Sequence, residues 1–519
     1  MPIALQKAAA PASRFVPRSL FRSVRTPFIP FTLRAASTMV PKLKDPSLLK
    51  QDVCYVNGEW IKAKSGKTFD VNGRLNRIPA LSHEQSRVLT ADRPGHRRED
   101  RVMPEFTKAD TDAAIAAAAT AFETFRTKTG QRGRPDDPHY LGERQAIADA
   151  KGEVTYAANF FEWFSEEAPR IYGDTIPSSV PGNRVWTIKE PVGVCGLITP
   201  WNFPAAMITR KIGPALATGC TVVCKAPGET PFTSLAIAEL GHRAGIPKGV
   251  VGEALTTNST VKKISFTGST NVGKLLMKQC SGTLKKLSME LGGNAPSSSS
   301  TTPTSTRRSQ FRSSGQTCVC ANRIYVQSGI YNEFAEKFAA KVREFKVGNG
   351  FEEGVTHGPL IHDRAIDKVE AHIRDAEKKG GKVVVGGNKI SKLGSNFYEP
   401  TVITGMTKEM AMSSEETFGP VAGLFSFKTE EEVVKLANAT NVGLAGYFFS
   451  RDIQRVHRVA EHLEVGMVGV NTGLISDPAS PFGGVKESGF GREGSLYGIS
   501  EYQVTKMITY GGMGQPLQK

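Results

Sequence analysis

Pro191–Lys225 reads P-V-G-V-C-G-L-I-T-P-W-N-F-P, then A-A-M-I-T-R-K-I-G-P-A-L-A-T-G, then C-T-V-V-C-K. That is strand, turn, helix, strand, and short buried apolar runs alternating with helices mark a parallel, doubly wound α/β sheet. Moving outward, a helix over Pro231–Ala244 and a strand in K-K-I-S-F-T-G-S-T extend the pattern. The C-terminal half forms a second α/β unit, with helices at Asn332–Phe345 and Glu430–Ala439 and a strand at Lys382–Val385. Tyr502–Tyr510 alternates apolar and polar residues as a strand does. Toward the N-terminus, Gly173–Glu190 holds turn residues between two β-prone runs, and Ala146 begins a helical pattern. Thr107–Phe125 is an Ala-rich helix capped by Asp110 or Thr111, and Cys54–Asp70 alternates around an N-G turn as a hairpin.

Composition bounds the function. A chain of 519 residues is long enough for more than one domain, and 39% hydrophobic with 22% charged residues is an ordinary composition for a globular enzyme. Its longest apolar runs, such as Ala113–Ala121, are too short to span a bilayer, so no membrane partner is expected. Seven cysteines without framework spacing point to a reducing compartment, and no Cys/His cluster has metal-ligand spacing. Half of the +16 net charge sits in Met1–Lys44, which has eight Lys or Arg and no acidic residue. That is transit-peptide composition, implying the mitochondrial matrix, with a start at Met39 giving a cytoplasmic form. The remaining charge forms no basic face interleaved with aromatics, so no nucleic acid is expected.

Phe311–Asn322, F-R-S-S-G-Q-T-C-V-C-A-N, sets Cys318 and Cys320 one residue apart. Cys318 follows Glu290 of M-E-L-G-G-N-A-P (Met289–Pro296) by 28 positions. A cysteine attacks only as its thiolate, so it needs a neighbouring cation, helix N-terminus or base. Taken singly, such a cysteine is ordinarily a small buried hydrophobe, and such a glutamate a surface charge.

With P-W-N-F-P at Pro200–Pro204, F-T-G-S-T at Phe266–Thr270, E-E-T-F-G-P at Glu415–Pro420 and P-F-G-G-V-K-E-S-G-F-G-R-E-G at Pro481–Gly494, these motifs resemble the aldehyde dehydrogenase superfamily. The C-V-C form and its flanks resemble the succinate-semialdehyde dehydrogenase branch. The resemblance implies a Rossmann-like NAD(P)-binding domain over 52–170 and 191–290, and an α/β catalytic domain over 291–485. It also implies oligomerisation strands at 171–190 and 495–512, in a homotetramer or homodimer. It implies Cys318 as nucleophile, Glu290 as general base and Asn202 as oxyanion donor. Trp201, Lys225, Gly228, Gly268, Ser269, Glu416 and Phe418 would hold NAD or NADP. In relatives, K-P-A-E accompanies NAD and K-P-A-S accompanies NADP, whereas this chain has Lys225-Ala226-Pro227-Gly228, which leaves the choice open. Arg210, Arg312 and Ser476 match contacts to the distal carboxylate of succinate semialdehyde. Cys320 would be either a redox partner of Cys318 or a small apolar neighbour. Another semialdehyde of similar length, or an inactive homologue, are the competing readings.

The resemblance has holes at Val71–Arg101, Arg126–Gln145, Val250–Val251 and Ser297–Gln310. Relatives follow E-L-G-G-N-A-P with F-I-V-F-D-D-A-D-L-D, and codons for that stretch, read one base late, spell Ser297–Thr306. Asp136–Ala146 can likewise hide T-T-L-T-T-W-E-N-G-K-P in another frame. Local frameshifts or mis-joined exons are therefore expected, with Ser297–Gln310 too polar to supply a packed strand.

Overall fold

A computed structural model describes residues 45–48, 50–71, 102–126, 146–244, 246, 255–299 and 311–514. The chain divides into Met1–Lys42 and Leu43–Lys519. The first unit lies outside the described residues, as does the whole expected transit segment. The same is true of 72–101, 127–145, 247–254 and 300–310, where most of the suspected frame breaks fall.

Two sheets position the site. The first has strand order Gly489–Phe490, Lys286–Glu290, Val261–Thr267, Val194–Ile198, Thr221–Lys225, parallel except for its first pair. Its apolar residues Val194, Val223, Ile264, Phe266 and Met289 pack on Ile115 and Ala118 of the Lys108–Phe125 helix. Because the crossovers are parallel, the strands Lys286–Glu290, Val261–Thr267 and Thr221–Lys225 end on one side, where open α/β sheets bind ligands. Glu290, Gly268 and Lys225 stand at those ends.

The second sheet runs Lys382–Val385, Thr401–Met406, Val421–Phe427, Arg323–Gln327, Pro296–Ser299, Ala445–Phe449, Met467–Val470. Only the first pair is antiparallel. Pro296–Ser299 corrects a sequence-based expectation, since the serine run does form a strand. It is parallel to Arg323–Val326 on one side and to Tyr447–Phe449 on the other, and Ser297 is fully buried. A ladder needs only backbone N–H and C=O groups, and two flanking strands supply them whatever the side chain. The serine hydroxyl bears the cost, for Ser297 Oγ is buried without a hydrogen-bond partner among the described residues.

Smaller elements follow the sequence closely. Cys54–Val56 pairs with Glu59–Ile61 across Asn57-Gly58, both at positive φ, as a tight hairpin turn requires. The helix Lys108–Phe125 is capped one turn earlier than expected, by Thr107. Asp110 sits at its third position and accepts the Thr107 N–H at 2.9 Å, reaching back across the first turn. Gln503–Tyr510 pairs antiparallel along its whole length with Arg184–Pro191, which also carries Thr175–Ile176. Among the described residues the outer edge of Gln503–Tyr510 has no strand partner, and Val504, Met507 and Tyr510 are exposed.

Candidate active site

Phe311 is buried among Ile324, Phe334 and Phe338 and anchors the segment that leads to Cys318. The backbone then turns sharply, with Ser313 and Ser314 at φ 49° and 57°. Two consecutive non-glycine residues in the left-handed region carry strain that the surroundings must hold. The turn is pinned by Gln316, whose Oε1 accepts the Ile361 N–H at 2.9 Å, and by Thr317, whose Oγ1 donates to the Arg312 carbonyl at 3.2 Å. Asn202 Nδ2 donates to the Gln316 carbonyl at 3.0 Å, so the carboxamide lies two residues from the half-buried Cys318. On the opposite flank comes Gly293. A Cβ there would stand 2.6 Å from the Cys318 carbonyl oxygen, so only glycine lets these two segments touch.

Glu290, 3% exposed, lies against the Cys318 thiol. Burial raises the Glu290 pKa above the usual carboxylate range, while Arg210 and Lys211 pull it back. Burial and then the Glu290 charge push the Cys318 thiol well above its ordinary value, and Arg210 opposes them. Burial thus favours the protonated form of both groups, and the Glu290 charge adds to that effect at the thiol.

Beneath them sits a charge cluster that the sequence did not disclose. Arg210 and Lys211 lie on the Pro204–Thr218 helix and are 1% and 0% exposed. Arg210 Nη2 contacts Glu290 Oε2 at 3.3 Å, its Nε meets Glu493, and its guanidinium stacks 4.1 Å from the Phe482 ring centroid. Lys211 Nζ donates to Thr267 Oγ1 at 2.6 Å and ion-pairs with Glu493. Burial works to raise the Glu493 pKa, yet Arg210 and Lys211 hold it below the usual range. Two cations and two carboxylates balance, which such burial demands. The one signal available was two adjacent basic residues in an otherwise apolar helix. They had to find anions inside the fold.

Arg312 and Ser476 line one small pocket together with Cys320, Tyr447 and Thr317. Arg312 lies 5.0 Å over the Phe203 ring, while Cys320 is buried with Sγ 3.8 Å from the Arg312 carbonyl. Both cysteines are free thiols.

The chemistry of the remaining residues suits a dinucleotide. Gly268 closes its strand with the N–H donated to the Glu290 carbonyl at 3.1 Å, and a Cβ there would strike the Phe266 ring at 2.5 Å. The donors that can face a pyrophosphate are therefore those of the next turn, the start of the Thr270–Cys280 helix behind exposed Ser269. Trp201 and Phe418 meet edge to face with centroids 5.7 Å apart. Glu416 accepts the Gly293 N–H at 3.4 Å, and burial pushes its carboxyl up to about 8. Lys225 ends its strand, and exposed Gly228 follows, with space where a Cβ would go.

Residues 140–508 match the aldehyde dehydrogenase family. Succinate-semialdehyde dehydrogenase (NADP+) 1 of Schizosaccharomyces pombe is 50% identical over 502 residues, covering 92% of this chain and 99% of the relative. A glutarate-semialdehyde dehydrogenase of Pseudomonas putida is 48% identical over 497 residues, covering 90% and 99%. The crystal structure of succinate-semialdehyde dehydrogenase from Burkholderia pseudomallei superposes with a TM-score of 0.82 at 47% identity, over 91% of this chain and 100% of that one. Likeness of this extent in sequence and in structure, around a thiol set against a carboxylate, makes this chain a member of the aldehyde dehydrogenase family.

Proposed function

We propose that this enzyme oxidises succinate semialdehyde to succinate with NAD or NADP. The observation that carries the substrate is the pocket where Arg312 and Ser476 meet Cys320, two residues from the nucleophile. A guanidinium fork matches a carboxylate in two parallel hydrogen bonds, so a short aldehyde bearing a distal carboxylate would be held there with its carbonyl at Cys318. Arg210 contributes charge more than donors, since Glu290 and Glu493 already occupy its guanidinium. The relative from Pseudomonas putida keeps glutarate semialdehyde as a second reading.

The chemistry follows from the contact between thiol and carboxylate. Moving the Cys318 thiol proton onto Glu290 leaves a thiolate beside Arg210, which attacks the aldehyde carbon. Asn202 Nδ2 and the Cys318 N–H donate to the developing alkoxide, an effect of about 3–4 kcal/mol in comparable sites. A bound nicotinamide, held by Trp201, Lys225, Ser269, Glu416 and Phe418, supplies the hydride acceptor. Hydride loss leaves an acyl thioester on Cys318. Glu290, having passed its proton to solvent, then draws one from the attacking water, which releases succinate and restores the thiol.

Arg312→Ala should raise KM for succinate semialdehyde by roughly thirtyfold or more, because a desolvated carboxylate loses a charged partner worth about 2–5 kcal/mol. With butanal, an uncharged aldehyde of equal length, KM should hold. Steady-state assays on both aldehydes check this, and glutarate semialdehyde alongside them ranks the two substrates. Equal losses on charged and uncharged aldehydes would make Arg312 structural.

Cofactor preference turns on Gly228. Its exposed position has room for a side chain, the nearest atom to a Cβ being Phe69 Cε2 at 3.9 Å. Gly228→Glu should favour NAD over NADP by about tenfold or more, since a carboxylate there repels a 2′-phosphate. The ratio of kcat/KM for the two cofactors measures it, and an unchanged ratio would place the ribose elsewhere.

The open edge of Gln503–Tyr510, with its exposed apolar residues, supports a homodimer or homotetramer built across that strand. The acid-free Met1–Lys44 and the relatives named mitochondrial in Arabidopsis thaliana and Rattus norvegicus support import into the matrix.

A further inference from the structure

The turn that carries the nucleophile is held on both sides. Thr317, Gln316 and Asn202 fix the backbone that leads into Cys318. Cys318 and Val319 are then the two central residues of a turn closed by the Cys320 N–H, which donates to the Thr317 carbonyl at 2.9 Å. The carbonyl of that same peptide unit, on Val319, accepts the Tyr447 hydroxyl at 2.9 Å. The Val319–Cys320 peptide therefore has both polar atoms occupied, one from inside the turn and one from across the fold. Tyr447 comes from the strand Ala445–Phe449 and is 1% exposed. Its ring has a slot made for it. A Cβ on Gly469, its neighbour in the next strand, would stand 2.7 Å from Tyr447 Cδ1. The ring packs with Val319, Ala321 and Phe482, and Cys318 lies against the same cluster. Burial, then the Cys320 and Cys318 thiols, push the phenol pKa up, so the hydroxyl keeps its proton and serves as a donor.

We infer that Tyr447 is a positioning residue for the nucleophile: its hydroxyl fixes the Val319 carbonyl and so decides that Cys318, not Cys320, is presented to the aldehyde. This rests on Cys318 as the nucleophile. In a Cys-x-Cys turn, the backbone between the two thiols sets which of them faces the site. Here Cys320 is buried with Sγ 3.8 Å from the Arg312 carbonyl, while Cys318 is half-buried beside Glu290. Phenylalanine at 447 would keep the ring in its slot and take the donor from the Val319 carbonyl. A buried carbonyl stripped of its donor shifts toward another partner, and the turn shifts with it. Catalysis is sensitive to such movement, since a displacement of about 1 Å can cost a hundredfold in rate. The hydroxyl is spent on Val319 and acts through the thiol, so an uncharged aldehyde feels its loss as much as a charged one.

Tyr447→Phe, with Tyr398→Phe as its control, tests the assignment by rapid mixing with succinate semialdehyde and with butanal. Tyr398, 4% exposed, likewise donates its hydroxyl to a backbone carbonyl, that of Gly387 at 2.8 Å, but among Leu360, Ile366 and Ile403 rather than around the thiols. Tyr447→Phe should slow the first turnover by about ten- to a hundredfold on both aldehydes. Iodoacetamide, which should label Cys318 in the wild type, should label Cys320 as well in this variant when the peptides are mapped by mass. Tyr398→Phe should keep the wild-type rate and labelling confined to Cys318, although both variants melt lower. A wild-type rate for Tyr447→Phe overturns the assignment, as does slowing with labelling still confined to Cys318. Equal slowing in Tyr398→Phe would trace the loss to stability, and slowing on succinate semialdehyde alone would trace it to the carboxylate; either overturns the assignment. Cys318→Ala separates the two readings. If it is active, the nucleophile on which the inference rests is gone; if it is inactive beside a fully active Tyr447→Phe, the positioning role alone falls.

Discussion

Replacing Cys318 by alanine should abolish aldehyde oxidation, lowering kcat by at least about 10⁴-fold while cofactor binding persists. Losing the nucleophile of a covalent mechanism costs on that scale, because the residual rate comes only from binding and the oxyanion donors. Cys318 is the thiol placed against Glu290 and within reach of Arg210. Cys320 points instead at the Arg312 carbonyl and is packed away from solvent. Cys320→Ala should therefore stay active, and it should lose sensitivity to peroxide if the two thiols pair on oxidation. Cofactor reduction followed at 340 nm decides the first part. An active Cys318→Ala enzyme would end the thioester mechanism.

Glu290→Gln should separate the two halves of the reaction. The amide keeps the shape but cannot take a proton from water, so steady-state turnover should fall by about 10²–10⁴-fold. The thiol responds in the opposite sense. The Glu290 charge helps hold its pKa up and Arg210 remains, so removing the carboxylate lowers that pKa. Alkylation by iodoacetamide should begin at lower pH in the variant. A rapid-mixing experiment should show a burst of reduced cofactor near one equivalent per site, followed by slow turnover as the thioester accumulates. Unchanged turnover, or an alkylation profile displaced to higher pH, would contradict the pairing of this thiol with this carboxylate.

The thiol and its carboxylate were legible because short motifs with fixed spacing carry them. E-L-G-G-N needs Gly293 where the Cys318 carbonyl passes, and G-Q-T-C needs its turn, so the chemistry leaves its mark in local sequence. Glu493 also stood inside a quoted motif, yet its role was invisible. It lies 282 residues from Lys211, and only the fold brings them into contact.

The serine run marks the boundary most clearly. Side-chain chemistry argued that Ser297–Ser299 could not join a core, yet Arg323–Val326 and Tyr447–Phe449 draw it into the centre of a sheet. The amino-acid order by itself determined the alternation of strands and helices and the parallel sheet. All of these depend on neighbours a few positions apart, where periodicity and steric limits act directly. Tertiary structure alone decided which buried charges neutralise one another and which polar segment is carried into a sheet. Those outcomes depend on desolvation and on backbone partners supplied from distant segments, and no local pattern in the sequence encodes them.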